Sequence, residues 1–558
     1  MDRRGFLTAG KNKMAEISAR PSGRMLATGL SPYTGPWTRN EITHLLKRTM
    51  FGSTRQDVNY FAGKTVSQAV DELINPVQPL PSPPLKAYTD DKIPAGDPEL
   101  TITLGNTWVN TFTSDGTANS RRDNSFRSWW MGVMINQDRS IREKMTLFWH
   151  NHFSTQASDI GIAMFIYKHH DLLRKNALGN FKSLVREITI DPCMLDYLNG
   201  QYNTKSAPDE NYARELQELF TLGKENNPNY TEDDVKQVAR VLTGWRNDAP
   251  NNKSYFDPNR HDTNIKSFSS FYGNATIAGR TGANAGDLEL DDLLTMIFSR
   301  NTEVSRFIVK KLYRWFVYYQ IDAATEQNVI DPLAKILRDN NWEIKPVLSA
   351  LFKSQHFFDI QNQGCSIKSP VDFAAGFCRE FNVVFPDATD VIAQYNHWNF
   401  IRYVGAILQQ NIGDPPDVSG WKAYYQEPSY YEIWINSDTY PKRNQITDMM
   451  IYSGYTTNGK KIIADVVAFT KSLSNPSDPN ALISDAIEIL FRIGLTQASR
   501  DQIKKDILLT GQNQDYYWTN AWVAHVSNPS DTMAFNTVND RLKALYKYLM
   551  NLAEYHLA

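Results

Sequence analysis

The sequence predicts a mainly α-helical protein, a large multi-helix globular fold with long irregular loops. Three observations predict it. Apolar residues recur at helical spacing through most of the chain; a capping box opens the first of these runs; alternating, strand-like patterning is scarce. The 558 residues are 41% hydrophobic and 22% charged, which excludes a collagenous, coiled-coil or wholly disordered chain.

Taken in order, residues 1–36 are rich in Gly, Pro and Ser and read as a flexible tail. They open with Arg3-Arg4-Gly5-Phe6-Leu7, a twin-arginine-like core that points to export. Lys11 and Lys13 interrupt the apolar h-region that export needs, which points to the cytoplasm. Residues 37–385 read as the main helical domain. Thr38 is placed as N-cap with Glu41 at N3, before Ile42, Leu45, Leu46 and Met50. Six prolines in residues 76–97 mark a loop. A long helical run is expected from Asn119 to Phe153, with further helices at 180–198, 211–222 and 231–245. The polar segment 246–290 reads as a long loop or small β excursion, after which helical periodicity resumes at Leu290. Residues 386–558 form an aromatic, Pro-interrupted region followed by helices. The three cysteines (Cys193, Cys365, Cys378) form no Cys-x-x-Cys. No apolar run approaches the ~18 residues of a transmembrane helix.

Several blocks then carry a resemblance. They are His44–Gly52 (HLLKRTMFG), Arg142–Phe153 (REKMTLFWHNHF), Glu210–Gly223 (ENYARELQELFTLG), Tyr230–Trp245, His261-Asp262, Ile367–Phe373 (IKSPVDF) and Pro415–Trp421 (PPDVSGW). In this order they resemble the bacterial DUF1800 family over roughly residues 38–445. The resemblance implies no defined activity. It implies an exported protein, and a sulfatase-like DUF1501-family protein as a partner.

The chemistry has to come from the residues. On a helix at about 100° per residue, Asn211, Arg214, Glu215 and Glu218 share one face. Tyr212, Leu216, Leu219 and Phe220 share the other. Two carboxylates at i, i+3 are how bundle helices present metal ligands; the same face is equally that of a solvated helix with an i, i+4 ion pair. His150 and His152 stand about 200° apart on a continuing helix, and both turn inward if the helix ends near His150. His261-Asp262 sits in the polar segment as a ligand and its orienter, an acid–base couple, or ordinary loop polarity. His44 and Arg48 are placed to reach the same cleft. His169-His170 reads as surface. The loop Gly413–Trp421 and the aromatics after it form either a sugar-stacking cover or a satellite core.

No His-Glu-x-x-His, Gly-x-Ser-x-Gly, phosphate loop or Gly-x-Gly-x-x-Gly occurs, so no nucleotide cofactor is expected. A net charge of −2 gives no field for nucleic acid. Two functions remain. One is a metal-assisted or His/Glu acid–base enzyme acting on an envelope or extracellular substrate. Its catalytic residues would be Glu215, Glu218, His150, Arg214 and Asn211. A divalent metal would sit on His150, His152, Glu215, Glu218, His261 and Asp262. The other is a non-enzymatic scaffold or binding protein working with the sulfatase-like partner, in which the same residues fix helix packing.

Overall fold

Thr38 caps the first helix as its spacing predicts. The Glu41 carboxylate accepts the Thr38 N–H at 3.0 Å, and Arg39–Thr49 follows as a helix buried along nearly its whole length. The computed structural model describes residues 28–223 and 230–558, so Arg3-Arg4 lies outside the described residues. The chain is mainly α, 58% helical with little strand. Among the described residues, no helix is long and apolar enough to cross a membrane.

The expected run from Asn119 to Phe153 is two helices, Gly116–Ile135 and Arg142–His152. Asn136 caps the first, and the Ser140 hydroxyl bonds the Asp138 carboxylate at 2.6 Å. Short polar side chains that bond locally compete with helix continuation, and they break the run here. Val391–Ile407 packs against Gly116–Ile135. Gly132 makes that approach possible, because a Cβ there would fall 2.4 Å from the Trp398 ring. One apolar cluster runs from Ile42 to Tyr555 and includes side chains from both sides of residue 386.

The segment 246–290 is a β excursion of two short antiparallel hairpins. Trp245–Asp248 pairs with Lys253–Phe256, and Lys266–Ser267 with Thr276–Ile277. Residues 28–36, expected as part of the tail, are docked. Tyr33 N–H donates to Lys353 O at 2.8 Å and Gln355 N–H to Ser31 O at 2.7 Å. The backbone of this stretch finds its partners in the turn after the helix Ile344–Phe352.

Candidate functional site: a basic pocket and a buried histidine core

Three of the sequence blocks meet at one pocket. Lys47 and Arg48 come from the first helix, Lys144 from Arg142–His152, and Lys368 from the turn before the helix Pro370–Glu380. Arg314 completes the basic lining, and Asp372 is the carboxylate among these side chains. Trp315, Tyr319, Tyr424, Tyr430, Tyr431 and Trp434 form the aromatic wall. Trp315 and Tyr424 stack with centroids 4.3 Å apart. The cavity that the basic and aromatic residues line is about 50 Å³, room for a small anionic group, since one water needs about 10–15 Å³.

The cations differ in how they are compensated. Lys47 pairs with Glu380 at 2.6 Å and donates to Leu490 O at 3.0 Å. Lys144 pairs with Asp372. Arg48 is buried but meets only neutral partners, the Ser366 hydroxyl at 2.8 Å and Asn362 O at 3.1 Å, and its Nε has none. The Lys368 ammonium stands 4.0 Å from the centre of the Tyr555 ring. Burial lowers the pKa of Lys47, Lys144 and Lys368, and in each case a nearby carboxylate opposes the fall. A buried ammonium with a lowered pKa is readied for proton transfer or for an anion that restores its charge.

The loop Gly413–Trp421 is clipped to the His-Asn-His block by Asn151, not by its histidines. The Asn151 side-chain oxygen accepts the Trp421 N–H at 2.9 Å. Gly420 has φ +86°, and a Cβ there would fall 2.3 Å from that same oxygen, so glycine is required on both counts. Trp421 then packs on His150, ring centroids 5.7 Å apart.

The helix Arg142–His152 runs through both histidines, so they point to different places. His150 lies against Trp130, at 5.2 Å between ring centroids. Both its ring nitrogens are buried without a partner. Burial, then His169 and Arg127, lowers its pKa to about 3. His152 bonds Phe220 O through Nε2 at 3.1 Å and Lys311 Nζ through Nδ1 at 3.2 Å. Burial and Lys311 hold its pKa well below the ordinary value.

The acidic helix is α-helical only over Asn211–Glu215 and becomes a π-helix over Leu216–Thr221. The predicted face is the wetter one: Asn211 is exposed and Arg214, Glu215 and Glu218 are half-buried. Arg214 makes a fork–fork pair with Glu232, at 2.8 and 2.7 Å, and Glu218 bonds Tyr230. His261 lies 3.0 Å from Glu289 and bonds Thr243 O at 2.9 Å. Arg240 reaches Asp262 at 2.7 Å. Burial opposes ionisation of Asp262, but the bonds from Arg240 and Asn264 hold its pKa at about 2.

Among the described residues, no three of these expected ligands converge on one point. The group that does is His169, Asp191 and Cys193, whose ligand atoms lie within 4.8 Å of one another and could hold a metal ion. His169 and His170 are therefore core, not surface, at 2% and 1% exposed. Beside them Arg174 forks onto Glu143 at 2.7 and 2.9 Å and donates to His170 Nδ1 at 2.9 Å.

Together these features define a large helical protein with a small basic pocket and a buried histidine core. The chain belongs to the DUF1800 family (protein of unknown function), whose profile matches residues 44–557. No curated protein and no solved structure matches it.

Proposed function

We propose that the basic pocket is the working site and that it takes an anionic group, a carboxylate, sulfate or phosphate, carried on a larger ligand. One observation carries this reading: Arg48 and Lys368 line the cavity, and neither pairs with a carboxylate among the described residues. A buried cation is costly unless an anion joins it. The aromatic wall suits a ring attached to that anion. Turnover at this site would run through Lys144 and Asp372, the ion pair at the cavity. An anionic envelope or extracellular polymer fits the pocket, and a sulfated one fits a sulfatase-like DUF1501-family partner.

Calorimetric titration with sulfate, phosphate, glucuronate and neutral glucose tests this. Binding of the anions but not of glucose, lost in Arg48→Gln, supports the pocket. Equal binding of glucose, or no binding of any anion, refutes it.

A second reading is the metal-assisted or His/Glu acid–base enzyme at Glu215, Glu218, His150, Arg214 and Asn211. Its support is His150, whose two nitrogens are buried without partners. An imidazole kept neutral near pH 7 suits a metal ligand.

A further inference from the structure

We infer that His169, Asp191 and Cys193 form a structural zinc-type site that closes the helical core independently of the pocket. His169 stands on the helix Ala163–Lys175, Asp191 is the N-cap of Pro192–Tyr197, and Cys193 lies in that helix's first turn. All three are fully buried.

Three features fit a metal. First, the outer contacts that orient ligands are in place. His169 Nε2 faces Phe153 O at 3.2 Å, and a ring that donates from Nε2 presents Nδ1 as ligand. Asp191 Oδ2 is anchored by the Met194 N–H at 3.1 Å. Second, Asp191 Oδ1 is buried with no hydrogen-bond partner. A carboxylate oxygen left unbonded in a sealed interior is costly, and a cation beside it removes the cost. Third, the charges balance. Neutral imidazole, carboxylate and thiolate sum to −2, which a divalent ion cancels; the thiol gives its proton to solvent as the ion enters. Imidazole, thiolate and carboxylate together suit zinc better than magnesium or calcium. With all three ligands buried, the site serves the fold.

The site ties the block Arg142–Phe153 to the turn before Pro192, since Phe153 supplies the carbonyl behind His169. The test is expression of the untagged full chain in cobalt-supplemented medium. The expected result is one cobalt per chain with a thiolate-to-cobalt absorption band. The band disappears in Cys193→Ser and persists in Cys365→Ser and Cys378→Ser. X-ray absorption on the wild type needs no variant, and should show one sulfur at about 2.3 Å and lighter ligands near about 2.0–2.1 Å. Folded protein free of cobalt, a band that survives Cys193→Ser, or a metal shell without sulfur overturns the site.

Discussion

The basic pocket and the histidine core are both rich in buried ionisable groups, and they solve the problem of burial differently. In the core the Glu143 carboxylate meets the Arg174 guanidinium of the same chain. In the pocket Lys47 and Lys144 are paired as well, but Arg48 meets only neutral groups and Lys368 an aromatic face. Balanced charge in a sealed interior holds helices together. Charge without an opposite partner beside a cavity is what the proposed anion would answer. The difference teaches that the type of ionisable residue says less about function than whether its charge is matched within the fold.

The sharpest way to break this comparison is to unbalance the core. Glu143→Ala strands the Arg174 guanidinium, at 1% side-chain exposure. Loss of one partner of a buried pair costs about 3–5 kcal/mol, so chemical unfolding should show a loss of that size. A change under about 1 kcal/mol would mean that water reaches Arg174, and the two regions would no longer differ. The matching change in the pocket is Lys368→Met. It removes a buried cation that lacks a carboxylate partner, so stability should hold or rise. Affinity for sulfate should fall by tenfold or more, since a charge-assisted hydrogen bond contributes about 1.5–3 kcal/mol. Destabilisation without loss of sulfate binding would make the pocket a second structural network.

His150 gives an intermediate effect, read by pH. Its folded pKa is about 3 against an ordinary 6.5. The folded state therefore holds the neutral ring, and the stability this supplies is complete above pH 6.5. It is lost as pH falls toward 3, because the unfolded chain takes up the proton first. From pH 7 to 5 the linkage amounts to about 2 kcal/mol. His150→Phe should flatten the stability curve over that interval, as thermal unfolding at a series of pH values will reveal. An unchanged curve would assign the acid sensitivity to other buried groups.

The sequence made the helical class and the Thr38 cap legible because both rest on local spacing. It also made legible that the quoted blocks matter, but not what each contributes. Histidines drew attention as ligands, yet Asn151 is the residue of its block that clips the Trp421 loop. The pocket lysines sit inside apolar runs, as in HLLKR and REKMTLFW, and a cation at a core-facing position was the available signal. Their convergence was not legible, since Lys144 and Asp372 are separated by 228 residues. On the acidic helix the wheel picks out the wetter face; what local spacing does not show is the shift to π at Leu216 and the pairing of Arg214 with Glu232.

The smallest effect belongs to Asp262, and it tests whether the β excursion follows the core's rule of matched charge. Asp262 has an ordinary pKa of 3.8 and a folded value of about 2, held down by Arg240 and Asn264 against the effect of burial. A depressed carboxylate contributes stability above its unfolded pKa, and that contribution is lost as pH falls through the folded value. The window is therefore pH 4 to 2, below that of His150. At pH 3 the loss is about 1 kcal/mol, less after solvent screening of the partly wet Arg240. Asp262→Asn should remove this acid-sensitive increment while leaving sulfate affinity at the pocket unchanged. Hydrogen exchange at Lys266–Ser267 and Thr276–Ile277 reports it locally, because Lys266 bonds Asp262 O and pairs with Glu289 at 2.6 Å. Faster exchange there at pH 7 would extend the matched-charge rule from the core to the excursion. Unchanged exchange would confine that rule to the helices.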